Sequence, residues 1–235
     1  MPKTIDPDRL VRFAEVHLRS GQGTGGNGTV DVCFMQAVDW LTGGTGKTDA
    51  PECVDPTIRA FGIRLNDAAR FADYRDELKA YAVRVVGTKT TAAVTKQRAF
   101  MCTDWAVRTI APMAFDHWAA SSPKNAKKAK EWAAKLRAVA PITDKASAEV
   151  GRQVAREARA AAYAADAAAA YADAAAAADA ADAAAAAAAD AAAAAFYAAY
   201  AAAARSKSKD FSRQLWCESL AFLDRLVAVT EAVSA

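Results

Sequence analysis

Residues 160–204 contain 35 alanines in 45 positions, and no glycine or proline follows Gly151. Alanine loses no side-chain entropy in a helix and has the highest helix propensity of any residue. Nothing in the tract interrupts propagation, so it is expected to be helical rather than low-complexity disorder. The pattern predicts one helix over roughly 143–205, about 90 Å long if continuous, with room for a kink. Such a helix has a smooth face and little bulk. Each methyl buries little apolar area, but small side chains let a second helix approach toward the close end of the usual range of about 8–10 Å. The rod therefore needs a partner that supplies volume.

The chain contains such a partner. After the polar run Arg205–Asp210, the last segment carries Phe211, Leu215, Trp216, Leu220, Phe222, Leu223, Leu226, Val227 and Val229 at helical spacing. An antiparallel helix is expected there, capped by Asp210 or Ser212. Leu215, Phe222 and Leu226 are its candidate helix-packing residues, facing alanines. A helix of about 25 residues spans roughly 38 Å and covers only the distal half of the rod. The proximal half must lie on preceding helices or stay bare, and a bare alanine face favours a coiled-coil-like homo-oligomer.

The tract's aspartates divide into two sets. At 100° per residue Asp166 and Asp173 share one line, while Asp179, Asp182 and Asp190 lie on another side with Tyr197 and Tyr200. They read as solvating residues whose face shifts where the packing partner changes. Two carboxylates such as Asp179 and Asp182, without further ligands, are too few for a metal site.

The first 142 residues read as a bundle of shorter helices. Asp6-Pro7 and Asp55-Pro56 open two of them, with the aspartate as cap and proline in the first turn. Asp31 is expected to cap a helix ending at Leu41, and Asp73 another closed by Gly87. Thr90 or Thr91 opens a helix that Pro112 ends or kinks, and Ser122-Pro123 opens one reaching Val139. No alternating strand pattern is apparent. The expected class is all-α, with a helical domain over 1–142 and an alanine-rich hairpin over 143–235 packing on it.

Composition excludes several classes. Thirty basic and 27 acidic residues leave a net charge of +3, too balanced to demand a polyanionic partner. Outside the alanine tract no charge-free apolar stretch reaches membrane-spanning length. The charged N-terminus lacks the apolar core of a secretion signal. Cys33, Cys53, Cys102 and Cys217 are far apart and have no zinc-ligand spacing. The expectation is a cytoplasmic protein with reduced thiols, a Cys33–Cys53 bridge being the less favoured alternative, no membrane segment and no cofactor.

Four local patterns invite a sharper function. Gly43-Gly44-Thr45-Gly46-Lys47-Thr48 looks like the end of a phosphate-binding loop. The first glycine of that motif would fall on Leu41, a helix precedes the loop where a strand is needed, and Pro51 and Pro56 forbid an immediate helix after it. Gly21–Gly26 matches a dinucleotide fingerprint but also follows a helix, and reads as a connector. Cys33 sits near a helix start, a position that favours a thiolate, yet only His17 and His117 exist as bases. A thiol enzyme using Cys33 is therefore the third reading, and a buried structural cysteine the simpler one. The segment Ser122–Arg137 has six basic residues, one acid and Trp132. Its lysines surround every face except Ala129, Trp132 and Leu136, as on an ordinary solvated helix, so nucleic acid is not the favoured partner.

Several short runs carry a resemblance to a known group of proteins. They are Cys33-Phe34-Met35-Gln36-Ala37, Pro51-Glu52-Cys53, Arg64-Leu65-Asn66-Asp67, Arg84-Val85-Val86-Gly87-Thr88 and Asp104-Trp105-Ala106-Val107-Arg108-Thr109. The chain resembles uncharacterised alanine-rich proteins of high-GC actinobacteria and their phages, by motif over residues 28–145 and by composition beyond. The resemblance implies no activity and no site residues, and it suggests a phage or host-interaction accessory role. The Gly-Lys-Thr of the 42–49 loop lies outside it. The resulting expectation is a non-enzymatic, self-associating helical interaction protein with a possible protein partner. The alternative is a nucleic-acid- or small-ligand-binding helical module. Its candidate binding residues are Arg64, Asn66, Asp67, Asp104 and Arg108, which equally fit a structural network between helices.

Overall fold

A computed structural model describes residues 4–21, 23, 31–164 and 208–230. The chain is mostly helical, as the sequence predicts, with one small sheet in addition. The helices are α1 (Pro7–Arg12), α2 (Phe34–Leu41), α3 (Pro56–Asp67), α4 (Lys79–Arg84), α5 (Ala92–Trp105), α6 (Ala111–Ser121), α7 (Ala126–Arg137), α8 (Lys145–Ala164) and α9 (Lys209–Ala228). The expected alanine rod falls largely on residues 165–207, outside the described residues, as do Asp166 through Asp190.

Two proline-led helices begin as expected. The Asp6 carboxylate accepts from the amides of Asp8 and Arg9 at 3.0 and 3.2 Å. Asp55 Oδ1 accepts from Thr57 at 2.8 Å, and its Oδ2 accepts from the Thr95 hydroxyl at 2.6 Å. The bonds from Asp8, Arg9 and Thr57 satisfy amides that the first helical turn leaves without partners. Gly43, at φ 87°, stops the helix ending at Leu41.

Other starts differ from expectation. Asp31 does not cap α2. It belongs to a strand, β2 (Asp31–Val32), which pairs in parallel with β1 (His17–Leu18). The cap is Cys33, whose sulfur accepts from the Gln36 amide while Gln36 Oε1 accepts from the Cys33 amide at 3.0 Å. Asp73 does not open a helix either, because Ala69–Leu78 winds as a 3-10 segment. Ser208, rather than Asp210 or Ser212, caps α9, its hydroxyl accepting from the Phe211 amide at 3.2 Å.

Pro112 neither ends its helix nor leaves it regular. Residues Ala106–Ile110 form a π turn, with the Ala111 amide donating to the Ala106 carbonyl. A proline has no amide for the carbonyl four residues earlier, and its ring crowds that carbonyl. Widening the helix just before it relieves the conflict.

The chain divides into two compact units. One comprises residues 1–95 and 220–235, the other 96–219. In the first, Phe34, Met35, Leu41, Ile58, Phe61, Leu65, Phe71 and Leu78 are buried with Phe222 and Leu226. The Phe61 and Phe222 rings meet edge to face, with centroids 5.3 Å apart. In the second, α6 and α7 form a hairpin, and α8 lies against α7 and the π turn. Its buried side chains include Trp105, Ile110, Phe115, Leu136, Ile142, Leu215 and Trp216. Trp105 Nε1 donates to Glu218 Oε1 at 3.1 Å.

Candidate functional site

Arg64, Asn66 and Asp67 occupy the last turn of α3. Asn66 Nδ2 donates to the Arg19 carbonyl and to Asp67 Oδ1, each at 2.8 Å. Asp67 Oδ1 also accepts from the Gly21 amide at 2.8 Å, and Arg75 Nε donates to the Asn66 carbonyl at 2.6 Å. These bonds tie the Arg19–Gly21 stretch and the 3-10 segment to the end of α3. Asn66 Oδ1 is buried without a hydrogen-bond partner.

Asp104 and Arg108 lie in the other unit. Arg108 Nη1 donates to Asp104 Oδ1 at 3.0 Å, and the same oxygen accepts from the Ile142 amide at 2.9 Å. One carboxylate thus anchors both the π turn and the loop entering α8. Arg108 Nε is buried without a partner. The five candidate binding residues therefore form two sets in separate units, each occupied by bonds that hold its own backbone.

The glycine loop after α2 is filled by its own chain. Asp39 is buried, and its Oδ2 accepts from the Gly46 amide at 2.9 Å. The Gly44 amide donates to the Asp39 carbonyl at 2.9 Å. Arg9 Nη1 donates to the carbonyls of Trp40 and Gly44, both at 2.6 Å. In a phosphate loop such amides face an incoming anion. Here a carboxylate of the same helix takes one of them, and Lys47 is exposed. Gln36 and Asp39 were not singled out from the sequence. The available signal was two polar residues on an otherwise apolar eight-residue helix, a pattern that calls for buried bonding partners.

Burial pushes the Cys33 thiol above its ordinary value, outweighing the bonds it accepts from Gln36 and Met35 amides. A nucleophilic thiol needs the opposite shift. All four cysteines are free, and only Cys217 is exposed.

The candidate packing residues Leu215, Phe222 and Leu226 are all buried. Phe222 meets Phe61, and the Tyr81 hydroxyl bridges to the same stretch of α9, donating to Asp224 Oδ2 at 3.2 Å. Arg84 pairs with Asp224 as well. Burial, followed by the Asp224 charge, raises the Tyr81 pKa. The alanines expected opposite these residues lie outside the described ones.

Among the described residues no group of three or more His, Cys, Asp or Glu is placed to hold a metal ion. No described helix is long and apolar enough to cross a membrane. No family model, curated protein or solved structure matches the chain. The structure defines a mainly helical protein in which Asn66, Asp67, Asp104 and Asp39 hold backbone of their own chain.

Proposed function

We propose that this chain is a non-enzymatic helical interaction protein that self-associates through its alanine-rich segment. The supporting observation is the buried face of α8. Ala148, Gly151, Ala155, Ala158 and Ala162 are buried at alternating spacings of three and four, the seam of a coiled coil built from small residues. A Cβ on Gly151 would stand 2.6 Å from Ile142 Cδ1 and 3.7 Å from Val107 Cγ2, so the helix approaches its neighbours closely along this line. The same spacing continues in the sequence at Ala165, Ala169, Ala172 and Ala176. This chain itself covers the line as far as Ala162, so it is the continuation, with equally small residues, that a second copy would meet at close approach.

A cytoplasmic setting and an accessory role in a phage or its actinobacterial host belong to this proposal and rest on composition and resemblance. Multi-angle light scattering tests the association. A dimer or larger species is expected at high concentration, and Ala169→Leu with Ala172→Leu should yield monomers by blocking close approach. A wild-type mass equal to one chain at high concentration would overturn the reading.

A further inference from the structure

The charge of this protein is unevenly distributed. The first 95 residues hold twelve basic and twelve acidic side chains, whereas residues 96–159 hold thirteen basic and six acidic. Much of that surplus stands on α7 and the turn before it. Lys124, Lys127, Lys128, Lys130, Lys135 and Arg137 are all exposed.

Apart from Glu131 on α7 itself, the acids around them are engaged elsewhere. Asp116 of α6 pairs with Arg137, and Asp104 with Arg108. Asp144 accepts from the Ser147 amide, Glu149 pairs with Arg152, and Glu157 accepts from Gln153. Among the described residues Lys124, Lys127, Lys128 and Lys130 make no ion pair. The Arg137–Asp116 pair is itself about half exposed, and such pairs hold weakly.

The buried line of α7 is Ala129, Ala133 and Leu136. At 100° per residue the opposite crest consists of Lys127, Glu131, Ala134 and Ala138. Lys128 and Lys135 form a row on one flank, and Lys130 and Arg137 a row on the other, about 160° apart. The Lys135 ammonium rests over the Trp132 ring, 4.3 Å from its centre. Two basic rows thus border a narrow crest of two alanines, Glu131 and a further lysine, Lys127.

Against the expectation from sequence that these charges only solvate the helix, we propose that α7 is a docking surface for double-stranded DNA, lying along the major groove with one basic row facing each phosphate backbone. The groove is about 12 Å wide and admits a helix. A flat acidic protein face meets one row and leaves the other in water, whereas the two walls of a groove meet both. An anionic bilayer is disfavoured because the exposed crest has no bulky apolar side chain to insert. The A-form major groove of RNA is too deep and narrow for side chains to read. Ala134 and Ala138 allow a close approach. Glu131, the one acid on the crest, is of the type that accepts from a cytosine amino group. Lysine-to-phosphate contacts carry affinity without sequence choice, so binding is expected to be largely nonspecific and strongly salt-dependent.

Fluorescence anisotropy with a labelled duplex DNA oligomer tests this on the full chain. Four to five phosphate contacts give a slope of about −4 in log affinity against log salt, or about a 250-fold loss between 50 and 200 mM. Lys128→Gln with Lys135→Gln, and separately Lys130→Gln with Arg137→Gln, should each make the slope shallower by about 2. Lys47→Gln with Lys89→Gln, in the charge-balanced unit, should leave it unchanged. Circular dichroism on each variant checks that the helices are retained. No binding at 25 mM salt, an unchanged slope in either row variant, or equal affinity for single-stranded DNA would overturn the proposal. Binding to phosphatidylglycerol vesicles without duplex binding would also overturn it and assign the face to lipid headgroups.

Discussion

The imidazole of His117 lies flat on the ring of Phe211, with centroids 4.2 Å apart and planes 7° from parallel. His117 belongs to α6 and Phe211 to the first turn of α9, so the stack pins the start of the C-terminal helix. Burial lowers the His117 pKa below its ordinary value of 6.5. An aromatic face attracts a cation and acts in the opposite direction, favouring the charged ring. With the pKa lowered, the folded protein resists a proton that the unfolded chain accepts. Stability should be fully present above about pH 6.5, fall as the pH drops below it, and level off once His117 titrates in the folded state. Thermal unfolding from pH 5 to 8, compared with His117→Phe, measures that contribution. A melting temperature that rises in the wild type alone as the pH falls would mean that the cation–ring attraction dominates.

The Asp39 carboxylate and the Lys47 side chain make opposite predictions for one loop. Asp39→Ala leaves the Gly46 amide without its buried acceptor, a loss that typically costs about 1–3 kcal/mol. Lys47→Ala removes an exposed side chain and should stay within about 0.5 kcal/mol of the wild type. Chemical denaturation of both variants makes the comparison. Titration calorimetry with ATP and GTP should give no binding heat. Micromolar binding lost in Lys47→Ala would restore the nucleotide reading.

Helix class and the strongest caps were legible in the sequence, because Asp-Pro pairs and glycine stops act locally. Asp6, Asp55 and Gly43 do what such residues do in isolation. The apolar stripe of α9 was legible too, since Phe211, Leu215, Phe222 and Leu226 repeat at helical spacing and are all buried. What local pattern did not reveal was competition between neighbours. Asp31 is a stronger capping residue than Cys33, but strand pairing with His17 claims it and the cap passes to the thiol. The paired strands are two residues long, too short for any alternation to register. Phe61 as the partner of Phe222 depends on a contact between residues 161 positions apart, which no spacing rule encodes. The candidate binding residues stood out in the sequence only as two short polar groups, around Asn66 and around Asp104. Their bonds to the Arg19, Gly21 and Ile142 backbone became visible only in three dimensions.

Two helical glycines should respond in opposite ways to the same substitution. In α3, a Cβ on Gly62 would stand 2.7 and 2.9 Å from Cε1 and Cδ1 of Phe34 and 3.1 Å from Met35 Cε. Phe34 is fully buried, and its rigid ring has no room to withdraw. In α8, a Cβ on Gly151 would meet Ile142 Cδ1 at 2.6 Å, but this atom is the free end of a chain that relieves the contact by rotating. Replacing glycine by alanine inside a helix gains about 0.8–1.0 kcal/mol from propensity. Overpacking a closed core loses about 1–3 kcal/mol. For Gly62→Ala the steric loss should win, leaving the protein destabilised by up to about 2 kcal/mol. For Gly151→Ala the two effects should nearly cancel, leaving it within about 1 kcal/mol of the wild type. Denaturant midpoints of the two variants, measured side by side, decide it. If Gly151→Ala is the more damaging of the two, the small-residue seam of α8 is packed too rigidly for Ile142 to yield, and the close approach along that seam is tighter than the 3.7 Å separation from Val107 implies.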